Sequence, residues 1–117
     1  MSKPRGEKDI FLRASGDIER VKRHGRRIST SLFNLLALKM GEAPGRVGII
    51  VGRRFGNAVR RNRAKRVFRA LVRHLSPELI PGIALLVFPK REALVQPSAE
   101  LARIWESSLR RVHLLRH

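Results

Sequence analysis

Cysteine is absent from the 117-residue chain. That excludes disulfides, cysteine-ligated zinc and thiol nucleophiles together, and it fits a reducing compartment such as the cytoplasm. Acid is scarce: 9 Asp and Glu stand against 26 Lys and Arg, giving a net charge of +17 and a pI near 12.0. A metal-dependent nuclease needs clustered carboxylates, and acid-base catalysis needs a well-placed histidine pair. Here the acids are scattered, and Asp17 and Glu19, two apart, would point in different directions from a helix. His24, His74, His113 and His117 lack the spacing of metal ligands. Gly48, Gly52 and Gly56 recur without the Lys-Ser/Thr that completes a phosphate loop. Long apolar runs are lacking too: Leu35 to Leu38 is far too short to span a bilayer. The opening MSKPRGEKDI is polar, includes Glu7 and Asp9, and is no secretory signal. We expect residues 1–10 to form a flexible basic tail and 11–117 a single domain.

What the chain does contain is enough apolar material to fold. A hydrophobic fraction of 43% is near the globular norm, and a domain of this size buries roughly two thirds of its unfolded surface. The charge calls for a polyanionic partner. Twenty of the 26 basic residues are Arg, whose planar fork pairs with phosphate oxygens and stacks on bases, so nucleic acid is favoured over a membrane. No motif for a small-molecule substrate is found.

Hydrophobic periodicity places the elements. A short first helix is expected from Gly16 to His24, with Ser15 as its cap, Ile18 and Val21 facing inward, and Gly25 as its stop. ISTSLFNLLALK, residues 28–39, reads as one strand. GEAPG is a turn, and RVGIIVG, with Val47, Ile49 and Val51 at period two, is a strand expected to pair with the one before it as a hairpin. Asn57 caps a helix running to about Leu75, where Ser76 and Pro77 stop it. IALLVF, apolar throughout, suggests a strand covered on both faces and paired in parallel after a helical crossover. Ser98 opens a last helix with Leu101, Ile104, Trp105, Ser108, Val112 and Leu115 on one stripe, Trp105 being most simply a core residue.

The middle helix carries the chemistry. GRRFGNAVRRNRAKRVFRALVR, Gly52 to Arg73, has nine Arg and Lys and no acid. At about 100° per residue Ala64, Val67, Phe68, Leu71 and Leu75 gather on an inward arc, and Asn62, Lys65, Arg66, Arg69 and Arg73 gather opposite. Arg61 and Arg63 fall at the borders, and Arg60 lies in the first turn, where free N–H groups also attract anions. A solvated helix face usually mixes signs at i,i+4, and this one does not. Phosphate binding accounts for the bias.

GRRFGNAVRRNRAKRVFR resembles the signature of the bacterial ribonuclease P protein component: a basic pair after a strand, Gly-x-Ala-Val, then Arg-Asn-Arg-x-Lys-Arg on a helix. Arg53 and Arg54 match the basic pair. Gly56, Ala58 and Val59 match the turn, and Arg61, Asn62, Arg63, Lys65, Arg66 and Arg69 match the helical motif. The resemblance implies an α+β fold, a single-domain α/β sandwich of order α-β-β-(β)-α-β-α. Its βαβ crossover is left-handed, an exception to the usual rule, as in the second-domain fold of ribosomal protein S5. It also implies a large RNA subunit that holds Mg²⁺ and hydrolyses precursor tRNA to free the mature 5′ end. On that reading the protein has no catalytic residue and no metal ligand of its own.

The RNA-binding set, from charge and resemblance together, is Arg53, Arg54, Asn57, Arg60, Arg61, Asn62, Arg63, Lys65, Arg66, Arg69 and Arg73. Candidates for a cleft between helix and sheet that holds the precursor's single-stranded 5′ leader are Phe11, Phe33, Phe55 and Ile18, the last standing where the family commonly has an aromatic. The alternative reading is a ribosomal or chaperone-type protein that binds RNA without assisting cleavage.

Overall fold

A computed structural model describes residues 10–116. Its elements are α1 (Ser15–His24), β1 (Arg26–Ser29), β2 (Phe33–Lys39), β3 (Arg46–Ile49), α2 (Ala58–Leu75), β4 (Ile83–Pro89) and α3 (Ser98–Arg111). Short 3₁₀ turns at Arg53–Phe55, Ser76–Glu78 and Arg91–Val95 join them.

The most apolar strand takes an interior position. The sheet order is β1-β2-β4-β3, with β4 antiparallel to β2 and parallel to β3. The parallel pairing across α2 is as expected. The expected hairpin between RVGIIVG and the strand before it does not form, because β4 inserts between β2 and β3. A strand that is apolar on both faces needs cover on both faces and neighbours on both edges. The loop after β2 therefore crosses one strand, about 10 Å. It is laid over the start of β4 by hydrogen bonds from Met40 N–H to the Gly82 carbonyl and from Gly82 N–H to the Ala43 carbonyl.

Residues 28–39 form parts of two strands, not one. The Thr30 hydroxyl accepts from the N–H groups of Leu32 and Phe33 at 3.2 and 3.0 Å, closing a turn. β1 then pairs antiparallel with β2, Ile28 opposite Leu35. This supplies the bracketed strand of the expected order.

Each face of the sheet has its own core. On one, Phe33, Leu35, Val47, Leu85 and Val87 meet Phe68, Leu71 and Val72 of α2 and Leu101, Trp105 and Leu109 of α3. Phe33, Phe68 and Trp105 pack edge to face, with centroids 5.4 to 6.2 Å apart. On the other face Val21 of α1 sits with Leu12, Ala84 and Leu86, flanked by half-buried Ile18, Leu36, Leu38, Ile50 and Phe88. α1 covers only part of this second face.

The helix ends show where local chemistry won. α1 begins at Ser15, one residue earlier than expected, because Ile18 N–H bonds to the Ala14 carbonyl. Ser15 is thus the first helical residue, not a cap. Gly25 does end the helix, but in extended conformation, and a Cβ there would lie 2.5 Å from the Val21 carbonyl. α3 ends at Arg111, so Val112 and Leu115 leave the predicted stripe and Leu109 takes the inner place. His113, at φ +62°, makes the stop: its N–H bonds to Arg110, and that of Leu114 bonds to Leu109. Ile10, assigned above to the tail, is buried in the core; the rest of that tail lies outside the described residues.

Candidate nucleic-acid interface

The motif is built on a turn and a capped helix. Gly56 has φ +154°, a conformation open to glycine and rarely to other residues. It releases the chain from the 3₁₀ turn at Arg53–Phe55 into α2. The Asn57 side chain accepts from Arg60 N–H at 3.0 Å, as its predicted cap role requires. Beneath, Ala64, Phe68, Leu71, Val72 and Leu75 are buried on the sheet.

The cations point the other way. Arg53, Arg54, Asn57, Arg60, Asn62, Arg63, Arg66, Arg69 and Arg73 are exposed, and Arg61 and Lys65 are half-buried. From Arg53 to Arg69, none of these takes part in an ion pair among the described residues. The pairs found there join Lys22 to Glu19, Arg103 to Glu100 and Arg110 to Glu106, on α1 and α3. The hydrogen bond from Arg103 holds the Glu100 carboxyl below its ordinary range. α3 thus pairs two of its three arginines with its own glutamates, whereas the motif stretch of α2 forms no ion pair among the described residues.

Around the motif, the guanidinium groups of Arg61, Arg63 and Arg91 also brace the backbone. Arg61 Nη1 donates to the Gly56 carbonyl at 3.0 Å, Arg63 Nη2 to the Leu94 carbonyl at 3.4 Å, and Arg91 Nη2 to the Arg54 carbonyl at 2.7 Å. Arg91 stands two residues after β4 and was missed in the sequence, where Lys90 and Arg91 after the apolar run were the available signal.

The four cleft candidates do not share one cleft. Phe33 is fully enclosed in the aromatic core and cannot meet a ligand, a correction to its assignment. Ile18 packs on the opposite side of the sheet from α2. Phe11 is buried at the edge of a groove of about 210 Å³ between β3 and α2, where Lys65 and Arg69 also stand. The guanidinium groups of Arg13 and Arg73 lie 5.8 and 6.0 Å from its ring centre. Phe55 borders a wider groove of about 560 Å³ with Ile50, Phe88, Arg54, Lys90 and Arg91. Phe88 is shared with a further cavity of about 230 Å³ beside Arg27 and Asn34. An apolar floor thus runs across the sheet face that α1 leaves open, with cations at both ends.

The family model for ribonuclease P matches residues 7–113. The chain belongs to the ribonuclease P protein family. It is 32% identical over 108 residues to the ribonuclease P protein component of Roseiflexus sp., covering 83% of this chain and 88% of that one. Over 72 residues it is 43% identical to the component from Symbiobacterium thermophilum, covering 62% and 63% of the two chains. Among solved structures it is similar to the RNase P protein from Thermotoga maritima, with TM-score 0.64, 30% identity and coverage of 91% and 94%. A Staphylococcus aureus RNase P protein mutant shares the fold at TM-score 0.82 and 21% identity, with coverage of 93% and 92%. The match spans the exposed cations of α2 and the turn before it.

Proposed function

We propose that this chain binds the catalytic RNA of ribonuclease P through the outward face of α2 and its preceding turn, and guides the 5′ leader of precursor tRNA to the cleavage site. The observation that carries this reading is the run from Ala43 to Pro77, ten cations with no acid. Its motif side chains, exposed or half-buried from Arg53 to Arg69, pair with no carboxylate of the described residues. A folded RNA supplies the missing charge, and Arg forks take its phosphates in paired hydrogen bonds.

The leader is assigned to the groove over Phe55 and Phe88. Single strands bind where bases can lie on aromatic and apolar surface while cations follow the phosphates. Ile50, Phe55 and Phe88 give that surface, and Arg54, Lys90 and Arg91 give the cations. Phe55 keeps its sequence-assigned place; Phe88 takes over from Phe33.

Hydrolysis falls to the RNA subunit and its Mg²⁺ ions. This chain's part in that division of labour is binding and orientation. The cytoplasm, where precursor tRNA is made, is the proposed place of action. No helix of the described residues is long and apolar enough to cross a membrane.

Reconstitution tests the reading. Mixing the protein with ribonuclease P RNA and precursor tRNA at low Mg²⁺ should raise cleavage at the mature 5′ end. Binding to the RNA with no gain in cleavage would favour the RNA-binding protein without a processing role.

A further inference from the structure

β3 is an edge strand of the sheet. The segment before α1 bridges it at Phe11–Val47, places Leu12 N–H on the Val47 carbonyl at 2.9 Å, and then turns off into α1. Phe11 and Val47 both pack into the core under α2, and Ile49, two residues along β3, lies half-buried on the same face. On α2 the residues Lys65, Arg69 and Arg73 stand four apart and form one row along the helix. Lys65 and Arg69 of that row, with Arg13 from the segment before α1, line the groove of about 210 Å³ over Phe11, Val47, Gly48 and Ile49. No acid of the described residues lines it. The Phe11 ring has the guanidinium groups of Arg13 and Arg73 within 5.8 and 6.0 Å of its centre, so it fixes Arg13 at the mouth of the groove.

We propose that this groove takes one unpaired nucleotide of the RNA subunit, its base against Ile49 and the guanidinium plane of Arg13, its flanking phosphates on Lys65 and Arg69. The inference rests on the reading that the outward face of α2 binds that RNA. Contact with a duplex backbone needs cations on an open surface and no apolar recess, whereas a splayed nucleotide needs both cations for its phosphates and a flat or apolar surface for its base. Here two cations of the motif row border such a recess, and the planar group of Arg13 stacks on a base as an ammonium cannot. The size admits one base and excludes a base pair. The leader groove opens on the other face of the sheet, around Ile50 and Phe88, so the nucleotide comes from the RNA docked on α2. Arg13 lies outside the motif and is the residue this site adds to the interface.

The test uses the full chain assembled with ribonuclease P RNA and precursor tRNA. With p-benzoylphenylalanine in place of Ala14, an exposed neighbour of Arg13, irradiation should crosslink one unpaired nucleotide of the RNA subunit. Acylation of that nucleotide's 2′-hydroxyl should fall when the parent protein binds and recover with Arg13→Ala and with Ile49→Ser, while the protections given by the rest of α2 persist. Arg13→Ala should weaken binding about fivefold. Arg13→Lys, which keeps the charge and loses the plane, should keep the salt dependence and lose the protection. Arg13 is exposed, so its variants report on the site even where Ile49→Ser fails to fold. Crosslinks confined to paired nucleotides or to the leader, or a protection that survives Arg13→Ala, overturn the inference while leaving RNA binding by α2 in place. A parent protein that gives no protection anywhere in the RNA subunit overturns both.

Discussion

The guanidinium of Arg61 donates to the carbonyl of Gly56, five residues back, at 3.0 Å. Gly56 makes the turn that aims Arg53 and Arg54, and Arg61 is half-buried against it. One motif arginine therefore belongs to the scaffold as well as to the charged surface, which separates the expected effects of substitutions that look alike in the sequence.

Arg61→Ala should lower stability by about 0.5–1.5 kcal/mol, the ordinary net value of a hydrogen bond, and weaken RNA binding. Arg66→Ala, at an exposed position of the same helix with no side-chain bond to the backbone of the described residues, should weaken binding and leave stability within about 0.5 kcal/mol. Urea unfolding of both variants separates the two roles.

The turn itself is sensitive. Gly56→Ala forces an ordinary residue to φ +154° and should cost about 1–3 kcal/mol. Asn57→Ala removes the cap of α2 and should cost about 0.5–2 kcal/mol, with faster amide exchange confined to the first turn of that helix. Equal protection of Arg60 N–H in parent and variant would show that the cap contributes nothing.

Two aromatic residues on opposite faces of the sheet should differ sharply. Phe33→Ala opens the Phe33–Phe68–Trp105 core and should cost about 3–5 kcal/mol, enough to unfold a marginal domain. Phe88→Ala, at a half-buried groove position, should cost less and lower affinity for leader-bearing precursor tRNA while sparing affinity for mature tRNA. Circular dichroism against temperature, with binding of both RNAs, reads the difference.

Much of this was legible in the chain because local chemistry dictated it. The period of Ala64, Phe68, Leu71 and Leu75 gives the buried face of α2, Asn57 gives its cap, and the unbroken IALLVF gives an interior strand. Strand order was not legible: a hairpin and a crossing loop look alike until β4 claims the place between β2 and β3. The β1–β2 turn was hidden because Thr30 has high strand propensity yet spends its hydroxyl on the backbone. The exposed or half-buried placement of the motif cations was legible, since uncompensated charge at helical spacing is visible in a sequence. The groove was not, because Asn34, Phe88 and Arg91 come from different segments and meet only through the β2–β4 register and the turn that follows β4.

The most direct measurement is the salt dependence of binding to the ribonuclease P RNA of the same organism, for the parent protein and for Arg66→Ala combined with Arg69→Ala. About six phosphate contacts by the outward face of α2 give a log-log slope on the order of −4, and each lost contact should reduce its magnitude by about 0.7. A parent slope near −4 that falls to roughly −2.6 in the double variant, with unchanged unfolding, is the expected result. An unchanged slope and affinity in the double variant would contradict the assignment of this face to RNA.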